Sequence, residues 1–192
     1  MDRLLPFDEL NVLSPIVADI FDRPPGERRE FKDYIFDEIL DILILSYIYG
    51  NEAANTMIGE EIGVDKAQLT ASVDRKVAEK DWKQRVDEYM NSDTATAADI
   101  MRVAETDAHR IYNEAIADVG KTASGQGAKL TKTWLTMLDD RVRDTHDYLE
   151  GETIPFEDDF YTFDGDYAPY PGEFLFPENN VNCRCRIVLH KA

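Results

Sequence analysis

The sequence predicts an α+β chain. An N-terminal helical arm or hairpin over residues 1–92 is followed by a small mixed domain over residues 93–192. That domain is expected to hold a long central helix, a small antiparallel sheet and a long aromatic- and proline-rich loop. Three observations carry this prediction. Apolar residues recur at three- and four-residue spacing through the first half. A break at Asn91-Ser92-Asp93-Thr94 precedes one long amphipathic stretch. Alternating segments at Lys129–Thr136 and Val181–Leu189 then flank a segment with many prolines and aromatic residues.

Taken in order, residues 1–29 read as irregular, because Pro6, Pro15 and Pro24-Pro25-Gly26 interrupt any long element. From Glu30 the pattern is helical, with Phe31, Tyr34, Ile35, Ile39, Ile42 and Leu43 on one stripe. Beyond Leu40 the helix is apolar on nearly all sides, which implies burial in a bundle. Gly50 and Asn51 are its expected end. A second helix starts after Asp65, which with Gln68 forms a capping-box pattern. Leu69, Val73, Val77, Trp82, Val86 and Tyr89 are its stripe.

A third helix is expected from Ala97 to Val119, capped by Thr96 and Asp99 and stopped by Gly120. Ile100, Val103, Ala104, Ile111, Ala115 and Val119 face inward. Glu105, His109 and Asn113 form a stripe read as a solvated face. Ser124–Gly127 is read as a flexible joint. In the strand that follows, Leu130, Lys132, Trp134 and Thr136 share a face. Asp139–Glu150 reads as a short helix or turn closed at Gly151. Residues 152–180 hold aromatic anchors between prolines, and a loop of this length is either functional or packed down by its own side chains.

Composition narrows the function. The 192 residues carry a net charge of −18, which argues against sequence-specific nucleic-acid binding, since phosphate contact requires clustered Lys and Arg. The apolar run Ile39–Tyr49 is too short for a bilayer and contains Asp41, so no membrane is expected as a partner. The N-terminus lacks a signal-peptide core. The two cysteines, Cys183 and Cys185, sit one residue apart and are poorly placed to bond each other on an extended strand. Free thiols and a reducing compartment follow.

Four blocks in order resemble the bacteriophage Mu F-like minor head protein family, also called the phage head morphogenesis family. They are Val103–Ala115, Lys132-Thr133-Trp134, Asp139-Asp140-Arg141-Val142-Arg143-Asp144-Thr145-His146 with Leu149-Glu150-Gly151, and Asn182-Cys183-Arg184-Cys185. The resemblance covers roughly residues 95–190. One block departs from the family, which commonly has Arg-Thr-Glu where this chain has Glu105-Thr106-Asp107. The resemblance implies a structural minor head protein of a tailed bacteriophage. Such a protein sits in the virion, in the capsid interior, after assembly in the host cytoplasm. Its implied partners are the portal protein, through the helical region, and the scaffold or major capsid protein. It assists head assembly or genome delivery. No enzymatic role is expected. An ADP-ribosyltransferase-like enzyme and a zinc-stabilised binding module are the alternatives.

The motif residues Trp134, Asp140, Arg141, Arg143, His146, Asn182, Cys183, Arg184 and Cys185 are assigned a structural part, with no catalytic residue. On a strand, Cys183 and Cys185 face one side with Ile187. They read first as small buried thiols. A second reading is a metal site of Cys183, Cys185 and His146 completed by His190 or a carboxylate, although zinc requires four ligands and the sequence shows few. A third pairs a catalytic thiolate with His146. No cofactor is expected under the first reading. The arginines are expected to form ion pairs with neighbouring acids, pinning the long loop.

Overall fold

The computed structural model of the chain describes residues 8–79 and 81–191. Helices build its first two thirds: α1 (Asp8–Phe21), α2 (Pro25–Arg28), a 3-10 turn (Arg29–Phe31), α3 (Lys32–Ile58), α4 (Lys66–Glu79), α5 (Trp82–Asn91) and α6 (Ala97–Gly125). The remainder holds β1 (Leu130–Leu135), α7 (Asp144–Asp147), β2 (Thr153–Pro155), β3 (Phe160–Tyr161), β4 (Tyr167–Ala168), α8 (Pro177–Asn180) and β5 (Arg186–Lys191). Strands order antiparallel as β2-β1-β5, and β3 pairs with β4 in a separate two-stranded ribbon. The α+β class, the long central helix and the small antiparallel sheet therefore stand.

Several element limits differ from the sequence reading, each for a packing reason. Residues 8–21 are helical, not irregular. Leu13, Val17 and Ile20 recur at helical spacing and are buried. Pro15 lies on the exposed face, so its missing N–H costs a hydrogen bond only on the solvent side. Helix α3 runs through Gly50 to Ile58 and ends at Gly59, whose φ of 66° takes the left-handed turn there. Asn55 seals that end, donating to the Ile62 carbonyl at 2.8 Å and accepting the Ile62 N–H at 2.9 Å. A Cβ on Gly50 would lie 2.3 Å from the Tyr112 carbonyl oxygen. The glycine lets α3 and α6 approach closely and does not stop the helix.

Helix α6 likewise passes Gly120 and the expected joint at Ser124, ending at Gly125. Gly120 receives the Phe156 ring, which a Cβ would meet at 2.4 Å. The start of α6 is as expected: Asp99 Oδ2 accepts from the Thr96 N–H at 3.0 Å and the Thr96 hydroxyl at 2.7 Å. The second helix is divided, with Asp81 at φ 44° between α4 and α5. Asp65 caps α4 by accepting the Ala67 N–H at 2.8 Å.

One apolar core runs from Leu13 through Ile35, Leu43, Trp82, Ile111 and Trp134 to Leu189. It crosses the loop around residue 92. Helix α6 is its axis: α3, α1 and α4 pack on its flanks and β5 on another side. The N–H groups of Ile187 and Leu189 turn away from β1. They donate to Asn113 Oδ1 at 3.0 Å and to Met57 Sδ at 3.4 Å. Among the described residues no helix is long and apolar enough to cross a membrane.

Candidate functional site

The last strand begins at Arg186, so Cys183 and Cys185 precede it. Asn182, at φ 57°, turns the chain just before them. Both sulfurs nevertheless point to one ring. Cys183 Sγ lies 3.5 Å and Cys185 Sγ 3.4 Å from His146 Nδ1. All three residues are buried. The ring is held by aromatic neighbours. Phe174 stacks on it at 5.3 Å between centroids, and Trp134 meets it near-perpendicularly at 5.4 Å. Phe160 and Phe174 complete the wall around Trp134 at 5.2 and 5.6 Å. A hydrogen bond from Cys185 and the His146 ring hold the Cys183 thiol well below its usual range. The same coupling, with burial, pushes Cys185 up.

The arginines clamp the chain around this ring. Arg184 makes a bidentate pair with Asp139, at 2.9 and 2.8 Å. That hydrogen bonding, ahead of the arginine charges, draws Asp139 down to about 2. Arg143 donates to the Glu178 and Val181 carbonyls across the loop. Arg141 reaches only the edge of Asp139, at 3.5 Å, and is largely exposed. Asp140 is exposed. Its neighbour Asp139 is therefore the acid of the motif that pairs with Arg184, a distinction the sequence does not draw because either acid could serve. His190 departs from the expected set. It lies on the exposed side of the sheet, hydrogen-bonded to Thr133 Oγ1 at 2.9 Å, and is not among the residues converging on the sulfurs.

Two further residues shape the site and escape sequence reasoning. Asn113, fully buried on α6, donates to the Cys185 carbonyl at 2.9 Å and accepts from Ile187 N–H at 3.0 Å. His109 on the same stripe is also buried. Burial, then the charges of Arg184 and Arg186, lowers its pKa to about 3, so it is neutral. The stripe is thus an internal seam under the segment 183–187, not a solvated face. Asp166 is the second. It is fully buried and accepts N–H groups of Tyr167, Leu175 and Phe176 at 2.9, 3.0 and 3.0 Å, and Asn179 Nδ2 at 3.0 Å. Burial alone would raise its pKa, but these donors outweigh it and hold the carboxyl below its usual range. The only signal was an acid inside Asp164-Gly165-Asp166, a turn pattern.

The site is therefore a buried cluster under a pinned loop. A small crevice lined by Met137, Arg141, Arg143 and Asn182 touches it from outside. The family described as Phage Mu protein F like protein matches residues 64–188, and the chain belongs to that family. Minor head protein GP7 of Bacillus phage SPP1 is 29% identical over 109 residues, 55% of this chain and 33% of that protein. NAD(+)--arginine ADP-ribosyltransferase EFV of Enterococcus faecalis (strain ATCC 700802 / V583) is 30% identical over 101 residues, 52% of this chain and 20% of that protein. The chain thus spans a third or less of each of these relatives. No solved structure matches it significantly.

Proposed function

We propose that this chain is a structural component of a phage head, seated on the portal protein and facing the capsid interior. There it assists head assembly and genome delivery, with the scaffold or major capsid protein as further contacts. Family membership and the similarity to a minor head protein support the class. The observation that carries the structural reading is what the motif residues touch. Arg143 and Arg184 bind carbonyls and an acid of the chain itself, and the thiols and imidazole face one another in a buried cluster. Such groups hold a shape.

The region before the family match supports the portal contact. Val12 and Ile16 lie on the outer face of α1, 65% and 38% exposed, opposite the buried Leu13, Val17 and Ile20. An amphipathic helix with apolar residues on both faces has one face left for a partner. The exposed rings of Tyr148, Phe163 and Phe176 offer a second surface, of the aromatic kind enriched at interfaces. The test is co-purification with the portal ring from infected or co-expressing cells. Val12→Glu with Ile16→Glu should preserve the fold and abolish co-purification. Full retention by the folded double variant rejects the arm contact, and absence of the wild-type chain from purified heads rejects the whole reading.

A second reading has one observation in its favour, the segment shared with a protein named an ADP-ribosyltransferase. That segment is a fifth of the relative. In this chain the helix that carries Glu105-Thr106-Asp107 has Asp107 buried and bound to Trp82 Nε1 at 3.0 Å and Arg110 at 3.1 Å, which places that side chain in the core. Calorimetric titration with NAD separates the two readings: heat of binding and released nicotinamide would favour the enzyme.

A further inference from the structure

We propose that His146, Cys183 and Cys185 bind a zinc ion, with a water from the adjoining crevice as the fourth ligand. The inference is independent of any role in the head. It rests on geometry. The ligand atoms Nδ1 and both sulfurs all lie within 4.8 Å of one another. The two sulfur-to-nitrogen separations are 3.5 and 3.4 Å. Tetrahedral zinc with Zn–S of about 2.3 Å and Zn–N of about 2.05 Å separates a sulfur from a nitrogen by about 3.6 Å. Each sulfur–nitrogen pair thus already spans an edge of such a tetrahedron.

Charge and placement agree. All three residues are buried, where an isolated charge is costly. Two thiolates around a dication sum to zero, and a neutral imidazole adds nothing. The donor set is soft, which selects zinc over magnesium or calcium. The ligands come from three places in the chain: α7 and the two sides of Arg184, which is itself anchored to Asp139 at 2.8 Å. Asn113 fixes the Cys185 backbone from α6 at 2.9 Å. The ring of His146 is oriented by Phe174 and Trp134, so Nδ1 is aimed without help from a hydrogen bond at Nε2, which has none. The remaining direction faces the crevice bounded by Met137, Arg141, Arg143 and Asn182. Three protein ligands with one open position is the arrangement of zinc sites that keep a water.

The experiment uses the full chain, purified without a polyhistidine tag and in the absence of chelators. Mass-spectrometric metal analysis should give about one zinc per chain. Cobalt(II) substituted for zinc should show thiolate-to-cobalt charge transfer and the intense d–d bands of tetrahedral coordination. His146→Phe keeps an aromatic ring in the stacked slot, so it should fold while losing the ion and the cobalt spectrum. Should it fail to fold, Cys183→His, which retains a ligand, should keep about one equivalent with a shifted charge-transfer band. Less than about a tenth of an equivalent after reconstitution with excess zinc overturns the proposal. So does an unchanged zinc content in folded His146→Phe, which would mean an adventitious ion elsewhere.

Discussion

Asn113 ties α6 to the chain on either side of Arg186, and its replacement by Leu leaves the Cys185 carbonyl and the Ile187 N–H dry. Each unsatisfied buried group costs about 1–3 kcal/mol, so denaturant unfolding should show a loss of roughly 2–6 kcal/mol. A loss within error would mean that water reaches both groups. Lys132 invites the opposite change. It is buried, with Nζ 5.4 and 5.5 Å from the Phe156 and Phe160 rings. Burial, partly offset by Asp159 and Glu157, lowers its pKa from 10.5 to about 8. For a base lowered on folding, the unfolded chain binds the extra proton between the two values. Stability therefore rises with pH from about 8 to 10.5 and bears the full penalty below about 8. Lys132→Met should raise stability at neutral pH by roughly 1–2 kcal/mol and flatten that rise. Asp139 works in the acid range. Its folded pKa of about 2 lies below the ordinary 3.8, so its contribution is present above 3.8 and lost as pH falls through about 2. Asp139→Asn should flatten the melting temperature against pH in that window, and an unchanged acid limb would contradict the bidentate pair. That Lys132 shares a face with Trp134 was legible because strand alternation is local. The burial of His109 and Asn113 was not, since polar residues on a helix stripe read as solvated until the segment that crosses them is known.

Helix limits show the same division between local and distant causes. Capping by Thr96, Asp99 and Asp65 was legible, because a cap is satisfied within a few residues. Gly50 and Gly120 read as stops, whereas the structure uses them for contact with Tyr112 and Phe156, partners far away in sequence. Leu13, Val17 and Ile20 were hidden behind Pro15, whose cost is small on an exposed face. Substitution separates these roles of glycine. Gly50→Ala gains about 1 kcal/mol of helix propensity, but its Cβ would meet backbone at 2.3 Å and Ala115 Cβ at 2.8 Å. Overpacking of about 1–3 kcal/mol against rigid backbone is the larger effect, so net destabilisation of up to about 2 kcal/mol is expected in thermal melts. Gly125→Ala has open space around it and should be neutral or stabilising by about 0.5–1 kcal/mol. Equal effects at the two positions would refute the close approach of α3 and α6.

At the scale of the molecule, a charge of −18 should keep the chain off duplex DNA. At physiological ionic strength no gel shift is expected at about 10 µM protein, the middle of the range where non-specific binders associate. A salt-sensitive shift would reveal a basic surface that the composition conceals. The N–H groups of Ile187 and Leu189 met by Asn113 and Met57, and Pro155 in β2, have a consequence for crowding. A sheet grows by recruiting a neighbour's backbone along an open margin. Here two donors of one margin are already taken by side chains from the helices, and the other margin carries an imino acid that cannot donate. Many copies gathered into a small space would thus lack the backbone template for fibril-like stacking, and would have to meet through side chains.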